Sequence, residues 1–329
     1  MRALVTGSSG FIGSALVAEL RKAGHKAFGI DLRRPRLRMT HQDDHLVDIT
    51  DRSALFAALS DLEPEAIVHL AARTDISQDS VVRYHANIEG IAHLLAAARA
   101  AGSVNRILWA STQLVSRVGR IPKHETDFGP DTSYGESKVI GERIVRGLDG
   151  GGLEWVILRP TTVWGPGMSD HYLSLLRYLE TGRYFHAGSG FVPKSFSYIG
   201  NAVSQIQSLL FAPAAKVNGQ TFYVADYKSI DMRSWCDQLS TEMGVRRSPV
   251  VPVALARLLA LGGDALAATL APRFKFTSFR LRNILTAYVF DTDNLEAITG
   301  PLPYDASSGI RETVKWYREI ATRRAQGSS

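Results

Sequence analysis

The stretch VTGSSGFIGS, Val5 to Ser14, decides the fold. It joins the β-prone run RALVT to FIGSALVAELRKAG, whose apolar residues recur at helical spacing and which ends on glycine. Gly7, Gly10 and Gly13 therefore fall at a strand-to-helix junction. Glycines there allow a tight turn and let the backbone approach a pyrophosphate seated on the helix N-terminus. A nucleotide triphosphate loop is excluded, because no Gly-Lys-Ser/Thr follows.

The alternation continues outward. KAFGID is the next strand, then HLVD, the helix RSALFAALSDL, the strand EAIVHLA, a long helix from about Val81 to Ala101 and the strand NRILWAS. A helix carrying Tyr134 and Lys138 and the strand LEWVILR complete the series. Strands alternating with helices predict parallel βαβ units and a Rossmann-like, doubly wound α/β sheet. This dinucleotide-binding domain is expected over residues 1–165, with a later stretch, about 196–225, returning to it. Asp31 ends the second strand 18 residues after Gly13, close to the spacing of about 20 for a carboxylate on the adenosine ribose hydroxyls. A carboxylate repels a 2′-phosphate, so NAD is favoured over NADP; Arg33 and Arg34 soften that preference. Asp48 follows the third strand, placed either to accept from the adenine amino group or to serve the next helix N-terminus.

After about Pro160 the rhythm breaks. RPTTVWGPG is expected as a loop, DHYLSLLRYLETG and NAVSQIQSLLFA as helices, FVPKSFSY as extended chain and QTFYVAD as one more strand. Residues 166–329 read mainly as a smaller, mostly helical substrate-binding cap. Within it, VALARLLALGGDALAATLA is strongly apolar. Membrane attachment is one reading of that stretch. A helical pair covering a pocket is preferred, because Gly262 and Gly263 interrupt the run and no charged face accompanies it.

Composition narrows the class. The 329-residue chain is 45% hydrophobic and 21% charged, enough for a large core in one large or two unequal domains. No apolar run reaches the roughly 18 residues that span a bilayer. The opening MRALVTGSSG lacks the apolar segment and cleavage site of a secretory signal. One cysteine, Cys236, rules out an internal disulfide. A cytoplasmic location is expected. Net charge is +6, and the arginines of DLRRPRLR (Arg33, Arg34, Arg36, Arg38), GVRRSP and REIATRRAQ lack the aromatic interleaving of a nucleic-acid surface. HQDDH, His41 to His45, has metal-ligating residue types but sits between two strands as a wet loop. Neither nucleic acid nor metal is expected as a partner.

TSYGESK, Thr132 to Lys138, puts a phenol and an ammonium four residues apart on one helical face. Free tyrosine titrates at pH ~10 and lysine at ~10.4, so neither does much alone at pH 7. Beside a dinucleotide the pair acquires chemistry. Lysine holds the nicotinamide ribose and, by its charge, lowers the phenol's pKa. Tyrosine exchanges a proton with a substrate hydroxyl or carbonyl while the nicotinamide exchanges hydride. A hydroxyl from WASTQLV, Ser111 or Thr112, at the carboxyl end of the preceding strand, would hold the same oxygen.

Together these residues resemble the extended short-chain dehydrogenases/reductases of the NAD-dependent epimerase/dehydratase family. TGSSGFIG matches its TGxxGxxG, HLAA (His69 to Ala72) the segment under the cofactor, and YGESK its YxxxK. NIEG (Asn87 to Gly90) matches a recurrent Asn-x-x-Gly, LRPTTVWGP (Leu158 to Pro166) resembles LRxxNVYGP, and DASSGIRETVKWY resembles the closing helix. The likeness covers nearly the whole chain. It implies Thr112, Tyr134 and Lys138 as the catalytic set. It further implies Gly7, Gly10, Phe11, Ile12 and Gly13 at the pyrophosphate and Asp31, Leu32, Asp48 and Ile49 at the adenosine. Leu70, Ala71, Ala72, Ser111, Pro160 and Val163 would line the NAD site together with Tyr134 and Lys138. Family members often dimerise through helices like those at Val81–Ala101 and Tyr134–Leu148, so a homodimer is expected.

Most members with this layout act on nucleotide-activated sugars, in polysaccharide biosynthesis, as epimerases, dehydratases, decarboxylases or reductases. A branch with a similar helical C-terminus oxidises 3β-hydroxysteroids. Related dehydratases carry Asp-Glu directly after the active-site threonine, and decarboxylases keep an acid at the second position. Here those positions are Gln113 and Leu114, neither of which exchanges protons at neutral pH. The resemblance thus implies a nucleotide-sugar epimerase, expected at C4, with a dehydrogenase or reductase as the alternative. A dinucleotide-binding regulator without turnover would have no need of the whole Thr–Tyr–Lys set. Arg73, Gln113 and Thr162 are expected toward the sugar, and Lys194, Arg280 and Arg282 toward the diphosphate. Three departures concern the nucleotide end. Thr162 replaces an Asn, Ser116 and Arg117 replace Tyr-Gly, and KSFSYIGN replaces RDFxxVDD, with Gly200 and Asn201 at the two acids.

Overall fold

Unbroken burial along the first strand, β1 (Arg2–Thr6), already requires a sheet covered on both faces. Ala3 and Val5 belong to one core cluster and Leu4 to the other, and all three are fully buried. The computed structural model describes residues 1–34, 42–76, 80–168, 170–269 and 276–326. After β1 come α1 (Phe11–Lys22), β2 (Lys26–Asp31), β3 (Asp44–Leu46), α2 (Arg52–Leu62), β4 (Ala66–His69), α3 (His85–Ala101), β5 (Arg106–Ala110), α4 (Ser133–Gly147) and β6 (Glu154–Pro160). The second half adds β7 (Thr162–Trp164), α5 (Asp170–Glu180), β8 (His186–Ala187), β9 (Pro193–Lys194), β10 (Phe196–Tyr198), α6 (Ile199–Phe211), α7 (Ala214–Val217) and β11 (Gln220–Val224). Then follow β12 (Ile230–Asp231), α8 (Met232–Met243), β13 (Val250–Val251), α9 (Val253–Thr269), α10 (Ser278–Leu285), α11 (Asp293–Thr299) and α12 (Ala306–Gln326).

Seven strands form one parallel sheet in the order β11-β6-β5-β4-β1-β2-β3. The chain runs outward from β1 to β3, then crosses back to β4 on the other side of β1. That reversal opens a crevice at the carboxyl ends of β1 and β4, where ligands bind in such sheets. Helices α2, α3 and α4 cover one face; α1, α6 and α12 contribute to the core on the other. β11 returns to the sheet by pairing with β6, although it lies far along the chain.

Several local expectations need correction. The helix expected from Val81 begins as a 3-10 turn, Val81–Tyr84, before α3. TVW, expected within a loop, forms β7 and pairs with β10, a partner more than 30 residues downstream that local sequence cannot announce. Arg36, Arg38 and His41 lie outside the described residues; within HQDDH, Asp44 pairs with Arg21 at 2.8 Å.

The largest correction concerns α9, which is one helix from Val253 to Thr269 and passes through Gly262 and Gly263 without a break. A helical glycine costs about 1 kcal/mol relative to alanine, and the surrounding alanines and leucines are strong helix formers. The helix is held by Ala256 and Ala260, which pack with Leu281 of α10. No helix among the described residues is long and apolar enough to cross a membrane. A Cβ at Gly262 would meet open space. Gly262→Ala should therefore stabilise the protein by about 0.5–1 kcal/mol in a urea denaturation series. A loss of stability would show that the helix does break there.

Candidate active site

The glycine loop is shaped by what a side chain would hit. Gly7 has φ +71°, and a Cβ there would sit 2.7 Å from the Ala71 nitrogen. At Gly13 a Cβ would lie 2.1 Å from the Gly7 carbonyl oxygen. Gly10 is the N-cap of α1 and supplies no side-chain cap, so the first-turn amides of Phe11, Ile12 and Gly13 are left to an outside acceptor. Asp31 is held beside this loop: its Oδ2 accepts from the Ser9 amide at 3.0 Å and its Oδ1 from the Arg33 amide at 3.0 Å. Each carboxylate oxygen keeps a further lone pair for a ribose hydroxyl. Leu32, next to it, is exposed. An anion cradle with an acid at the neighbouring strand end suits a dinucleotide whose ribose is not phosphorylated.

The adenosine side is less open than the sequence implies. Asp48 Oδ1 accepts from both the amide and the hydroxyl of Thr50, at 2.8 and 2.7 Å, and Asp51 rather than Asp48 caps α2. Ile49 is buried and packs where Gly90 of NIEG has no side chain; a Cβ there would lie 2.6 Å from Ile49 Cδ1. After β4, Leu70, Ala71 and Ala72 pass under the loop, and the Ala71 amide donates to Thr6 Oγ1 at 3.1 Å. Asn87 then clamps Arg73, accepting from its amide and donating to its carbonyl, and also donates to Ser137 of α4.

α4 starts with Thr132, whose side chain accepts from the Gly135 amide at 3.0 Å. This places Tyr134 and Lys138 in the first turns, both buried. Gly135 lets the helix approach closely: a Cβ would lie 2.2 Å from the Leu114 carbonyl oxygen. Thr112, at the end of β5, is hydrogen-bonded to the Tyr134 phenol. Lys138 Nζ donates to the Ala110 carbonyl at 2.8 Å. Pro160 ends β6 and Val163 is buried in β7.

Burial sets the proton affinities. It pushes the Tyr134 phenol up to about 12, against the smaller lowering from the Thr112 hydrogen bond, with nearby Tyr84 adding to the rise. It pulls the Lys138 ammonium down to about 8, opposed by the charge of Glu142. The sequence predicts that Lys138 depresses the phenol's pKa. In the protein alone the opposite shift holds, because desolvation of the enclosed phenol dominates. His69 is also buried and is lowered to about 3, first by desolvation and then by the Lys138 charge. It is neutral, and its Nδ1 shares a 2.8 Å hydrogen bond with Thr6 Oγ1.

Two residues of this site escape sequence reasoning. Glu142 stands one further turn along the face that carries Tyr134 and Lys138, and is 2% exposed. Its carboxylate receives Arg159 of β6 through two bonds, Nε to Oε1 at 2.9 Å and Nη2 to Oε2 at 2.7 Å. Ser111 donates its hydroxyl to the same carboxylate at 2.5 Å. The two candidate hydroxyls thus separate: Thr112 meets the phenol, and Ser111 serves the ion pair. The recurrence of Glu142 at i+8 from Tyr134 was a usable signal; the identity of its partner was not.

Beyond β6, Thr162 Oγ1 lies 3.3 Å from the Tyr288 hydroxyl. Lys194, expected at a diphosphate, is instead buried: its Nζ donates to the carbonyls of Asn283 and Thr286, at the end of α10, and lies 4.8 Å from the centre of the Tyr288 ring. Those contacts supply the partners a buried ammonium needs. Arg280 and Arg282 are on α10, and the Arg282 guanidinium lies over the exposed Phe279 ring. The departures at Gly200 and Asn201 have a structural cause. A Cβ at Gly200 would lie 2.5 Å from the Tyr304 ring, and Asn201 bonds both the amide and the carbonyl of Tyr304. Ser116 is buried and bonded to Arg120. Gln113 Oε1 is buried with no hydrogen-bond partner among the described residues.

A doubly wound sheet bearing this cradle and a buried Thr–Tyr–Lys set defines an NAD-dependent enzyme of the extended short-chain dehydrogenase/reductase type. The sequence profile of the NAD dependent epimerase/dehydratase family matches residues 3–225, and the chain belongs to that family. It is similar to a 2-alkyl-3-oxoalkanoate reductase of Stenotrophomonas maltophilia, 30% identical over 75% of this chain and 77% of the relative. It is also similar to an N-acetyl-α-D-glucosaminyl-diphospho-ditrans,octacis-undecaprenol 4-epimerase of Escherichia coli O157:H7, 24% identical over 95% of this chain and 94% of the relative. Among solved structures, the UDP-glucose 4-epimerase of Thermotoga maritima with UDP-glucose shares the fold, with TM-score 0.76, 20% identity and coverage of 98% and 100% of the two chains.

Two outcomes follow. Glu142→Leu leaves Arg159 buried without a counter-charge and should cost about 3–5 kcal/mol in denaturant unfolding, with Glu142→Leu/Arg159→Leu recovering part of the loss. Asp31→Ala should narrow or reverse a preference for NAD over NADP in binding titrations, by removing repulsion of the 2′-phosphate. A wild-type chain that binds NADP more tightly would contradict the role of Asp31.

Proposed function

We propose that the enzyme is an epimerase of a nucleotide-activated sugar, inverting C4 through a transient 4-keto sugar. The observation that carries the reading is the Tyr134 phenol, hydrogen-bonded to Thr112 with Lys138 one turn along the same helix, in a site whose next two residues are Gln113 and Leu114. The set moves one proton and supplies no carboxyl at the positions that elimination or decarboxylation uses. The E. coli and T. maritima proteins, both named as 4-epimerases, support the choice.

In this reading the Tyr134 oxygen takes the proton of the sugar 4-hydroxyl and later returns it, while the Thr112 hydroxyl holds the same sugar oxygen. NAD⁺, which the glycine loop and Asp31 would hold, would supply reversible hydride exchange at that carbon. Because burial holds the phenol at about 12, proton removal is helped by a cation beside it. Lys138 is such a cation below about pH 8, and it also binds the nicotinamide ribose. Gln113 Oε1 accepts from a second sugar hydroxyl, which supplies its missing donor, and Arg73, fixed through Asn87, faces the sugar. Arg280 and Arg282 serve the diphosphate. The active form is a homodimer joined through α3 and α4.

Incubation with UDP-hexoses followed by NMR tests the reaction, with the 4-epimer and no net NADH expected. Net NADH formation or consumption would move the reading to a dehydrogenase or reductase, which the S. maltophilia relative supports. A 4-keto-6-deoxy product, or release of carbon dioxide from a uronic acid, would refute the reading of Gln113 and Leu114. Tyr134→Phe should lower turnover by roughly 10²–10⁴-fold, the range for loss of a general acid/base, with cofactor affinity little changed.

A further inference from the structure

α9 is built inside out. Its contact with the rest of the protein uses small residues, Ala256, Ala260 and Gly263, all buried at i, i+4 and i+7. Its leucines face away: Leu255 is 48% exposed, Leu258 66%, Leu259 47%, Leu261 60% and Leu266 41%. Leu255, Leu258, Leu259, Gly262 and Leu266 follow i, i+3, i+4, i+7 and i+11, which is one stripe on a helix. A helix on the surface of a globular protein normally turns such a stripe to the core. A contiguous apolar patch left outside marks an interaction surface. The patch extends to α10, where Phe279 is exposed. Arg257, Leu261, Leu281, Arg282 and Leu285 line a groove of about 410 Å³ between the two helices.

The charges around the stripe are of one sign. Arg246 and Arg247 are exposed just ahead of β13 and α9, and Arg257 is exposed on α9. None of the three has a partner among the ion pairs of the described residues. The one acid of α9, Asp264, is occupied in accepting the Ser278 amide at 3.1 Å. A second copy of the chain, docking this face on itself, would bring like charges together. An anionic bilayer offers what the face lacks: phosphates for the guanidinium groups and an apolar layer beneath them for the leucines.

We propose that α9, with the adjoining edge of α10, docks peripherally on the surface of an anionic lipid bilayer. The inference is independent of the substrate, and its test does not read turnover. Wild-type protein should co-sediment with phosphatidylcholine vesicles containing phosphatidylglycerol, less with phosphatidylcholine alone, and less as salt is raised. Leu255→Glu/Leu258→Glu should weaken that binding by roughly tenfold or more. Arg246→Glu/Arg247→Glu/Arg257→Glu should abolish the preference for the anionic vesicles. Unchanged melting temperatures would show that both variants fold, and Leu258→Gln alone replaces the double leucine variant if it does not. Failure of the wild type to sediment with the anionic vesicles, or equal binding by the leucine variants, would overturn the proposal. So would a wild-type dimer in analytical ultracentrifugation that Leu255→Glu/Leu258→Glu dissociates, because a second copy would then cover the stripe.

Discussion

The buried pair of Arg159 and Glu142 sets the orientation on which the site depends. Arg159 is 1% exposed and Glu142 2%. Burial works against the guanidinium charge, and the hydrogen bonds and charge of Glu142 outweigh it, so the arginine pKa is raised. The pair joins α4 to β6, and Arg159 reaches on to the Tyr223 hydroxyl of β11 at 3.2 Å. Through Ser111 it also grips the end of β5. A buried ion pair is weak evidence for stability, because desolvation offsets its attraction. Its effect here is geometric. Tyr134, Lys138 and Glu142 share one helical face, so docking Glu142 on the sheet fixes the rotation of α4. The phenol and the ammonium are then delivered to the carboxyl end of β5.

That placement has an electrostatic consequence. Enclosure moves Tyr134 and Lys138 in opposite directions on the pH scale, up to about 12 and down to about 8, and in both cases toward the neutral form. A cation entering the enclosure acts on both, favouring the phenolate and further disfavouring the ammonium. His69, neutral and bonded to Thr6, adds shape to the crevice without adding a proton donor of similar strength.

The second half of the chain obeys different constraints from the sheet. Its polar residues at family positions are turned to structural ends. Lys194 closes the end of α10 through two carbonyls, and Asn201 bonds the Tyr304 backbone while donating to Asp226. The cluster between α9 and α10 also accepts small residues where a surface helix usually buries large ones, which leaves the leucines of α9 on the outside.

The sheet was legible in the sequence because its signals are local. Glycines between a strand and a helix, short apolar runs and periodic helices identify βαβ units without reference to distant residues. The same holds for the spacing of Asp31 and of Tyr134 and Lys138. What only the tertiary structure decided involves burial or a remote partner. The raised phenol and lowered ammonium follow from enclosure, which no spacing reports. The partners of Glu142, Lys194 and Asn201 lie 17, 89 and 103 residues away. For α9, Gly262 and Gly263 argued for a break from propensity alone, and packing of Ala256 and Ala260 on α10 held the helix through them. Helix propensity is worth about 1 kcal/mol at such a position, which tertiary contacts readily exceed.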